Sequence, residues 1–281
     1  MNPSAPKPGV FARERPIGVF DSGIGGLTVV SALRRLLPNE PIFYLGDTAR
    51  VPYGGKSAAT VERYSLEITA MLLAESCKTI VVACNTASAL ALPRLEATIP
   101  VPITGVIQPG AQAAVAATRN GHIGVIGTRA TIKSGAYERA IRSLDPALLV
   151  SGRACPLFVP LIEEGWLESE ITDRVVRQYL APLLESGVDT IVLGCTHYPL
   201  LRDAIARFLG ESVTLVDSAQ NCAATVRQLL EEKNLRASGE AAGELSVALT
   251  DSPDAFLDVA REALQLEIGA VQLREVIHPA R

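Results

Sequence analysis

Two ten-residue segments, "TIVVACNTAS" at 79–88 and "TIVLGCTHYP" at 190–199, nearly repeat each other. Four of their first six residues coincide, as T-I-V-x-x-C. A second pair, "IGVFDSG" at 17–23 and "IGVIGTR" at 123–129, precedes them in the same order and at nearly the same separation. Each segment opens on an apolar, β-branched run of strand length. None alternates with polar residues, so each reads as a strand buried on both faces. Such strands belong to parallel sheets covered by helices, and the duplication predicts two similar α/β units. Ligands of these sheets bind outside the carboxyl ends of the strands. Two units with those ends facing would place Cys84 and Cys195 on opposite walls of one cleft.

The rest of the chain alternates in the same way. Strand candidates are 16–21, 41–46, 79–84, 103–107, 122–127, 155–159, 190–195 and 213–217. Helical spacing of apolar residues marks 26–37, 57–77, 86–97, 131–144 and 171–186. The remainder, 219–281, is mostly helical in pattern, with "VALTDSP" at 247–253 as a further strand and turn. The expected division is a first domain of 17–107 with 219–281, a second of 108–218, and a flexible leader over 1–16.

Bulk properties narrow the function. Aromatics make up 5% of the 281 residues, too few for base-stacking platforms. The net charge is -4 and no Lys/Arg block occurs, which argues against nucleic-acid or polybasic membrane partners. No apolar run approaches the ~18 residues of a membrane span, and the leader carries no apolar signal segment. A cytoplasmic protein is expected. The five cysteines are odd in number and include no C-x-x-C, so a disulfide framework, a thioredoxin pair and a zinc ribbon lack footing. His122, His197 and His278 are scattered and form no ligand pair, so no metal site is expected.

Each repeated cysteine is followed by small polar residues, Asn85-Thr86 and Thr196-His197, and then by a helix start. A thiol at a helix N-terminus can fall below its ordinary pKa of about 8.5. A lone cysteine after an apolar strand is commonly core, but a matched pair with polar followers reads as functional. Racemisation next to a carboxylate needs two such groups. One removes a proton from one face of the carbon, the other returns a proton to the opposite face, and the reverse reaction swaps the roles. Nucleophilic catalysis would want a single cysteine with a base and an oxyanion hole.

Three further stretches bear on the site. "DSGIGGLTV" at 21–29 fails the dinucleotide fingerprint at Thr28 and lacks the Gly-Lys-Ser/Thr of a phosphate loop. It reads as a turn with Asp21 and Ser22 at its mouth, suited to a small zwitterion, or with Asp21 as a plain turn or helix cap. An ionised Asp21 would raise the Cys84 pKa, so it serves to accept the thiol proton or orient substrate. "YLGDTARVPYGGKS" at 44–57 is loop-like. Tyr53 and the Gly54 amide could reach a carboxylate, while Asp47, Arg50 and Lys56 are as readily solvated as functional. In "CPLFVPLIEEGW" at 155–166, Glu163 or Glu164 lines the cleft or caps a helix in solvent. His197 could take the Cys195 proton or stabilise its thiolate, or be a structural histidine. Cys77, Cys155 and Cys222 have no matching context.

Taken together, "FDSGIGGLTV", "YLGDTARVPYGGKS", "VVACNTASA", "CPLFVPLIEEG", "LGCTHYPLL" and "VDSA" resemble the glutamate racemases, and "LTDSPDAF" resembles their C-terminal segment. These enzymes supply D-glutamate for peptidoglycan. Aspartate and hydantoin racemases share the paired cysteines, and "DSGIGG" and "PYGGKS" point to the glutamate group. The resemblance implies two flavodoxin-like domains with the active site between them, no pyridoxal phosphate or metal, and a tendency to dimerise. It implies Cys84 and Cys195 as the catalytic thiols, on the D- and L-glutamate faces respectively. Asp21, His197 and Glu163 would assist them. Substrate would be held by Asp21, Ser22, Tyr53, Gly54, Asn85, Thr86, Thr196 and His197. A racemase for aspartate or hydantoin, a silent amino-acid-binding relative, and a thiol redox or metal protein are the alternatives.

Overall fold

The computed structural model describes residues 12–239, 241–252, 266 and 268–276. Strands β1 (Ile17–Asp21), β2 (Ile42–Gly46), β3 (Thr79–Val82), β4 (Ile103–Gly105), β9 (Leu245–Leu249) and β10 (Val271–Leu273) form a parallel sheet. Its order is β10-β9-β2-β1-β3-β4. Strands β5 (His122–Gly127), β6 (Leu149–Ala154), β7 (Thr190–Gly194) and β8 (Thr214–Asp217) form a second parallel sheet in the order β6-β5-β7-β8. Both sheets contain the flavodoxin-like order in which the first strand lies between the second and third. The sequence repeat extends to register: Ile17 pairs with Thr79 in one sheet and Ile123 with Thr190 in the other.

Helices cover both faces, as the unbroken burial of β1, β3 and β7 requires. Ile17, Val19 and Val81 pack with Val29 and Leu33 of α1 (Leu27–Leu36) and Val226 of α11 (Ser218–Glu232). Phe20, Ile80 and Val82 point the other way, onto Ile68 and Leu72 of α2 (Ala58–Ala74). Each such side chain contributes roughly 1.5–3 kcal/mol on burial. The chain passes between the sheets through α5 (Ile107–Ala117) after β4 and through α11 after β8, and these two helices pack together. Among the described residues, no helix is long and apolar enough to cross a membrane.

Three local expectations are corrected. The strand expected over 155–159 is a turn leading into α8 (Phe158–Glu163). Phe158, Leu161 and Ile162 have helical spacing and are buried. The strand is β6, "LVSGRA", which escapes pattern reading because it lies at the sheet edge with Leu149 exposed. The helix expected over 131–144 is two, α6 (Arg129–Ser134) and α7 (Ala136–Leu144), parted by Gly135 at φ 65°. The helix expected over 86–97 is α3 (Asn85–Leu90) and α4 (Leu92–Thr98), with Pro93 in the first turn of α4. Two more helices, α9 (Glu170–Glu185) and α10 (Arg202–Leu209), complete the second layer.

Residues 1–11 of the expected leader, and "LTDSPDAF" beyond Ser252, lie outside the described residues. The rest of the leader is fastened to the fold. Lys78 Nζ donates to the Arg13 carbonyl and pairs with buried Glu40, and Glu14 accepts from Ser238 Oγ at 2.6 Å.

Candidate active site

Asp21 closes β1, Cys84 follows β3, Thr128 follows β5 and Cys195 follows β7. These are the central strands on either side of the switch point in each sheet, where ligands of this fold bind. The carboxyl ends of the two sheets face each other across a narrow cavity. Ser22, Tyr53, Gly54, Cys84, Asn85, Thr86, Cys195, Thr196 and His197 line it, with room for little more than one water molecule. Asp21 and Glu163 touch that lining, Asp21 through Thr196 and Glu163 through His197.

Hydrogen bonds link the two walls. Thr196 Oγ1 donates to Asp21 Oδ1 at 3.3 Å, and Thr28 Oγ1 to the Thr196 carbonyl at 3.3 Å. Thr86 Oγ1 lies 3.0 Å from Thr128 Oγ1 and 3.2 Å from Thr131 Oγ1. The "DSGIGG" turn fits because it lacks side chains: a Cβ on Gly25 would fall 2.4 Å from Thr196 Oγ1 and 2.5 Å from His197 Nδ1. Asp21 Oδ2 also accepts from the Gly23 amide at 3.0 Å, so the carboxylate shapes its own turn while touching the opposite wall.

The Tyr53 hydroxyl reaches a carboxylate of the protein itself, donating to Asp47 Oδ2. Its ring lines the cavity. Asp47 is buried, bonded by Arg50 Nε at 2.7 Å and by Thr250 Oγ1 at 3.0 Å, and Arg50 also pairs with Glu67. Neither Asp47 nor Arg50 is a solvated loop charge; together they brace the Tyr53–Gly55 turn.

The thiols have different neighbours. Cys84 caps α3, and the Ala87 amide approaches Sγ at 3.5 Å. Ser22 Oγ lies at 3.8 Å. Burial, followed by the charge of Asp21, nevertheless pushes the Cys84 thiol far above its ordinary range. The lowered thiol pKa expected from the helix start is overturned at Cys84, because one short turn of amides does not offset full desolvation beside a carboxylate. Cys195 Sγ lies 3.9 Å from His197 Nδ1, and His197 Nε2 lies 3.4 Å from Glu163 Oε1. The second contact is an ion pair rather than an aligned hydrogen bond, since Nε2 has no hydrogen-bond partner. Burial alone would lower the His197 pKa. Cys195 and Glu163 outweigh it and push His197 up to about 10. Of the two candidate glutamates, Glu163 is therefore the one that reaches the site.

Two predictions follow from this triad. The His197 proton stabilises the fold fully below its unfolded pKa near 6.5, and that stabilisation is lost as pH rises through about 10. Denaturant titrations from pH 6.5 to 10 should show wild type losing stability relative to His197→Gln; parallel pH curves would contradict this. Glu163→Gln should lower the His197 titration midpoint, read from its imidazole NMR signals. An unmoved midpoint would remove Glu163 from the site.

Cys77, Cys155 and Cys222 are buried and outside the cavity lining. All five cysteines are free thiols. Thr128 had a sequence signal that went unread: it is the counterpart of Ser22 in the "IGVFDSG"/"IGVIGTR" repeat. Tyr137, whose hydroxyl donates to Asn85 Oδ1 at 2.6 Å, had none.

Residues 21–228 match the model of the Asp/Glu/hydantoin racemase family. The chain belongs to that family. It is 50% identical to a glutamate racemase of Geobacter metallireducens over 257 residues, covering 92% of this chain and 95% of the relative. A glutamate racemase of Neisseria gonorrhoeae is 49% identical over 264 residues, covering 94% and 97%. Among solved structures, a glutamate racemase isoform of Bacillus anthracis superposes with a TM-score of 0.91 at 40% identity, covering 94% of this chain and 98% of that one. The Francisella tularensis glutamate racemase in complex with D-glutamate gives 0.88 at 37% identity, with the same coverage. An aspartate racemase homologue of Pyrococcus horikoshii, at 17% identity and a TM-score of 0.54, shares the racemase fold alone.

Proposed function

We propose that this racemase interconverts L-glutamate and D-glutamate by two-thiol proton transfer at Cα, without pyridoxal phosphate or metal. One observation carries the reading: Cys84 and Cys195 occupy matched strand ends and line one cavity. The glutamate racemases at about half identity over nearly the whole chain support glutamate over aspartate or hydantoin. The product supplies D-glutamate for peptidoglycan.

In the L-to-D direction, Cys195 as thiolate takes the Cα proton while the Cys84 thiol delivers its own proton to the opposite face. The electron pair left on Cα is used in the new C–H bond, so Cys195 ends as thiol and Cys84 as thiolate. The resting environments suit this direction. Cys84 is held protonated, and His197 supplies positive charge beside the Cys195 sulfur. In the D-to-L direction Asp21 accepts the Cys84 proton and His197 gives one to Cys195, so the Cys84 thiolate takes the Cα proton while the Cys195 thiol delivers its own to the opposite face. Glutamate is held by Asp21 at its ammonium and by Ser22, Gly54, Asn85, Thr86 and Thr196 at its carboxylates, with the Tyr53 ring as a wall. The cavity is too small for glutamate until its walls part, and closing on the substrate excludes water from the carbanionic carbon, which raises the strength of each contact.

The same reading divides the chain into domains of 17–107 with 219–281 and of 108–218, and makes it a cytoplasmic homodimer. Sizing chromatography tests the dimer. The activity is tested with purified protein and L-glutamate in deuterium oxide, without added cofactor. Optical activity should decay to zero, and the D-product should carry deuterium at Cα. Tight glutamate binding with no exchange would identify a silent binding protein instead.

A further inference from the structure

Asn85 follows Cys84 and lines the cavity, yet only one end of its amide has a partner in the protein. Oδ1 accepts from the Tyr137 hydroxyl at 2.6 Å. Nδ2 is buried and unpartnered. A buried amide donor with no acceptor is unfavourable, so one in the wall of a ligand cavity is a donor kept for the ligand.

The direction of this amide is set from behind. Tyr137 is buried in α7, and Ser218 at the start of α11 lies close to its hydroxyl. Gly110 of α5 packs against both residues: a Cβ there would lie 3.2 Å from Ser218 Cβ and 3.2 Å from the Tyr137 oxygen. Burial raises the phenol above its ordinary range, so Tyr137 keeps its proton. That proton is donated to Asn85 Oδ1. Asn85 then turns Oδ1 toward Tyr137 and Nδ2 away from it. Without this donor the two ends of the amide, nearly equal in size, could exchange places.

Given the glutamate reading above, we infer that Tyr137 is a positioning residue that fixes the Asn85 amide with Nδ2 as donor to a carboxylate oxygen of bound glutamate. Tyr137 lies on a helix of the four-stranded sheet, whereas Asn85 follows a strand of the six-stranded one. The donor is therefore aimed only while the two layers are in contact.

The test is a double-mutant cycle of Tyr137→Phe and Asn85→Ala, with Ser218→Ala as a second probe of the same contact. Tyr137→Phe should lower kcat/KM about tenfold in both directions, chiefly through KM, as loss of one oriented hydrogen bond to a charged group. In the Asn85→Ala background it should change kcat/KM by less than about twofold, because nothing remains to orient. Ser218→Ala should act in the same sense and likewise vanish in that background, which keeps the test decisive if Tyr137→Phe folds poorly. An equal loss in both backgrounds would make Tyr137 merely structural and overturn the inference. Wild-type protein that turned over no glutamate in the same assay would overturn the functional reading and this inference with it. Wild-type turnover with an additive cycle would overturn the role of Tyr137 alone.

Discussion

Cys84→Ala and Cys195→Ala are each expected to reduce racemisation about 10³-fold or more, within the range that a positioned acid or base contributes. In the proposed mechanism each thiol serves one face of Cα, so losing either leaves one of the two proton transfers without a group. The narrow cavity leaves little space for water to replace it. The variants should differ in what survives. Cys195→Ala keeps Cys84 and should still exchange the α-proton of D-glutamate slowly in deuterium oxide, without forming L-glutamate. Cys84→Ala should show the reverse. Melting temperatures near wild type would show that the loss is chemical rather than structural. Racemisation by either variant above a tenth of the wild-type rate would end the two-thiol mechanism.

Gly25→Ala is expected to be strongly damaging although it replaces no reacting group. The added methyl meets Thr196 Oγ1 and His197 Nδ1 at distances that real side chains do not tolerate. Those atoms sit on the opposite wall, so relief comes by pushing the walls apart or turning His197 away from Cys195. Overpacking of this kind costs roughly 1–3 kcal/mol of stability. A displacement near 1 Å at the reacting groups costs about a hundredfold in turnover. Calorimetry and kinetics on one preparation separate the two effects. Full activity in Gly25→Ala would show that the walls part freely and that this contact does not set the distance between the thiols.

How much of this was legible in the chain depends on what each residue packs against. The strands bearing the thiols were readable because burial on both faces strips polar residues from "TIVVAC" and "TIVLGC". β6 was not readable: an edge strand half in solvent tolerates "LVSGRA", while the neighbouring "CPLFV" has the apolar content of a strand and the spacing of a helix. Gly135 and Pro93 were visible as breakers, but helical periodicity on both sides hid the breaks. The residues that line the cavity follow strand ends and could be found by motif. Their supports could not. Asp47 beneath Tyr53 is held by Thr250, 203 residues away, and Tyr137 lies 52 residues from the Asn85 it supports, so each alone looks like a loop charge or a helix aromatic.

The unlike surroundings of the two thiols, Asp21 and Ser22 on one side and His197 with Glu163 on the other, meet a thermodynamic restriction. Mirror-image amino acids have equal free energies in water, so the equilibrium constant of the reaction is unity. The ratio kcat/KM must then be the same for both enantiomers, however lopsided the walls. The asymmetry can be expressed only as paired changes, a tighter KM matched by a slower kcat for one enantiomer. Substitutions on the Asp21 side or the His197 side are free to move that balance between the two hands of glutamate, but no substitution can make this cleft favour one product at equilibrium.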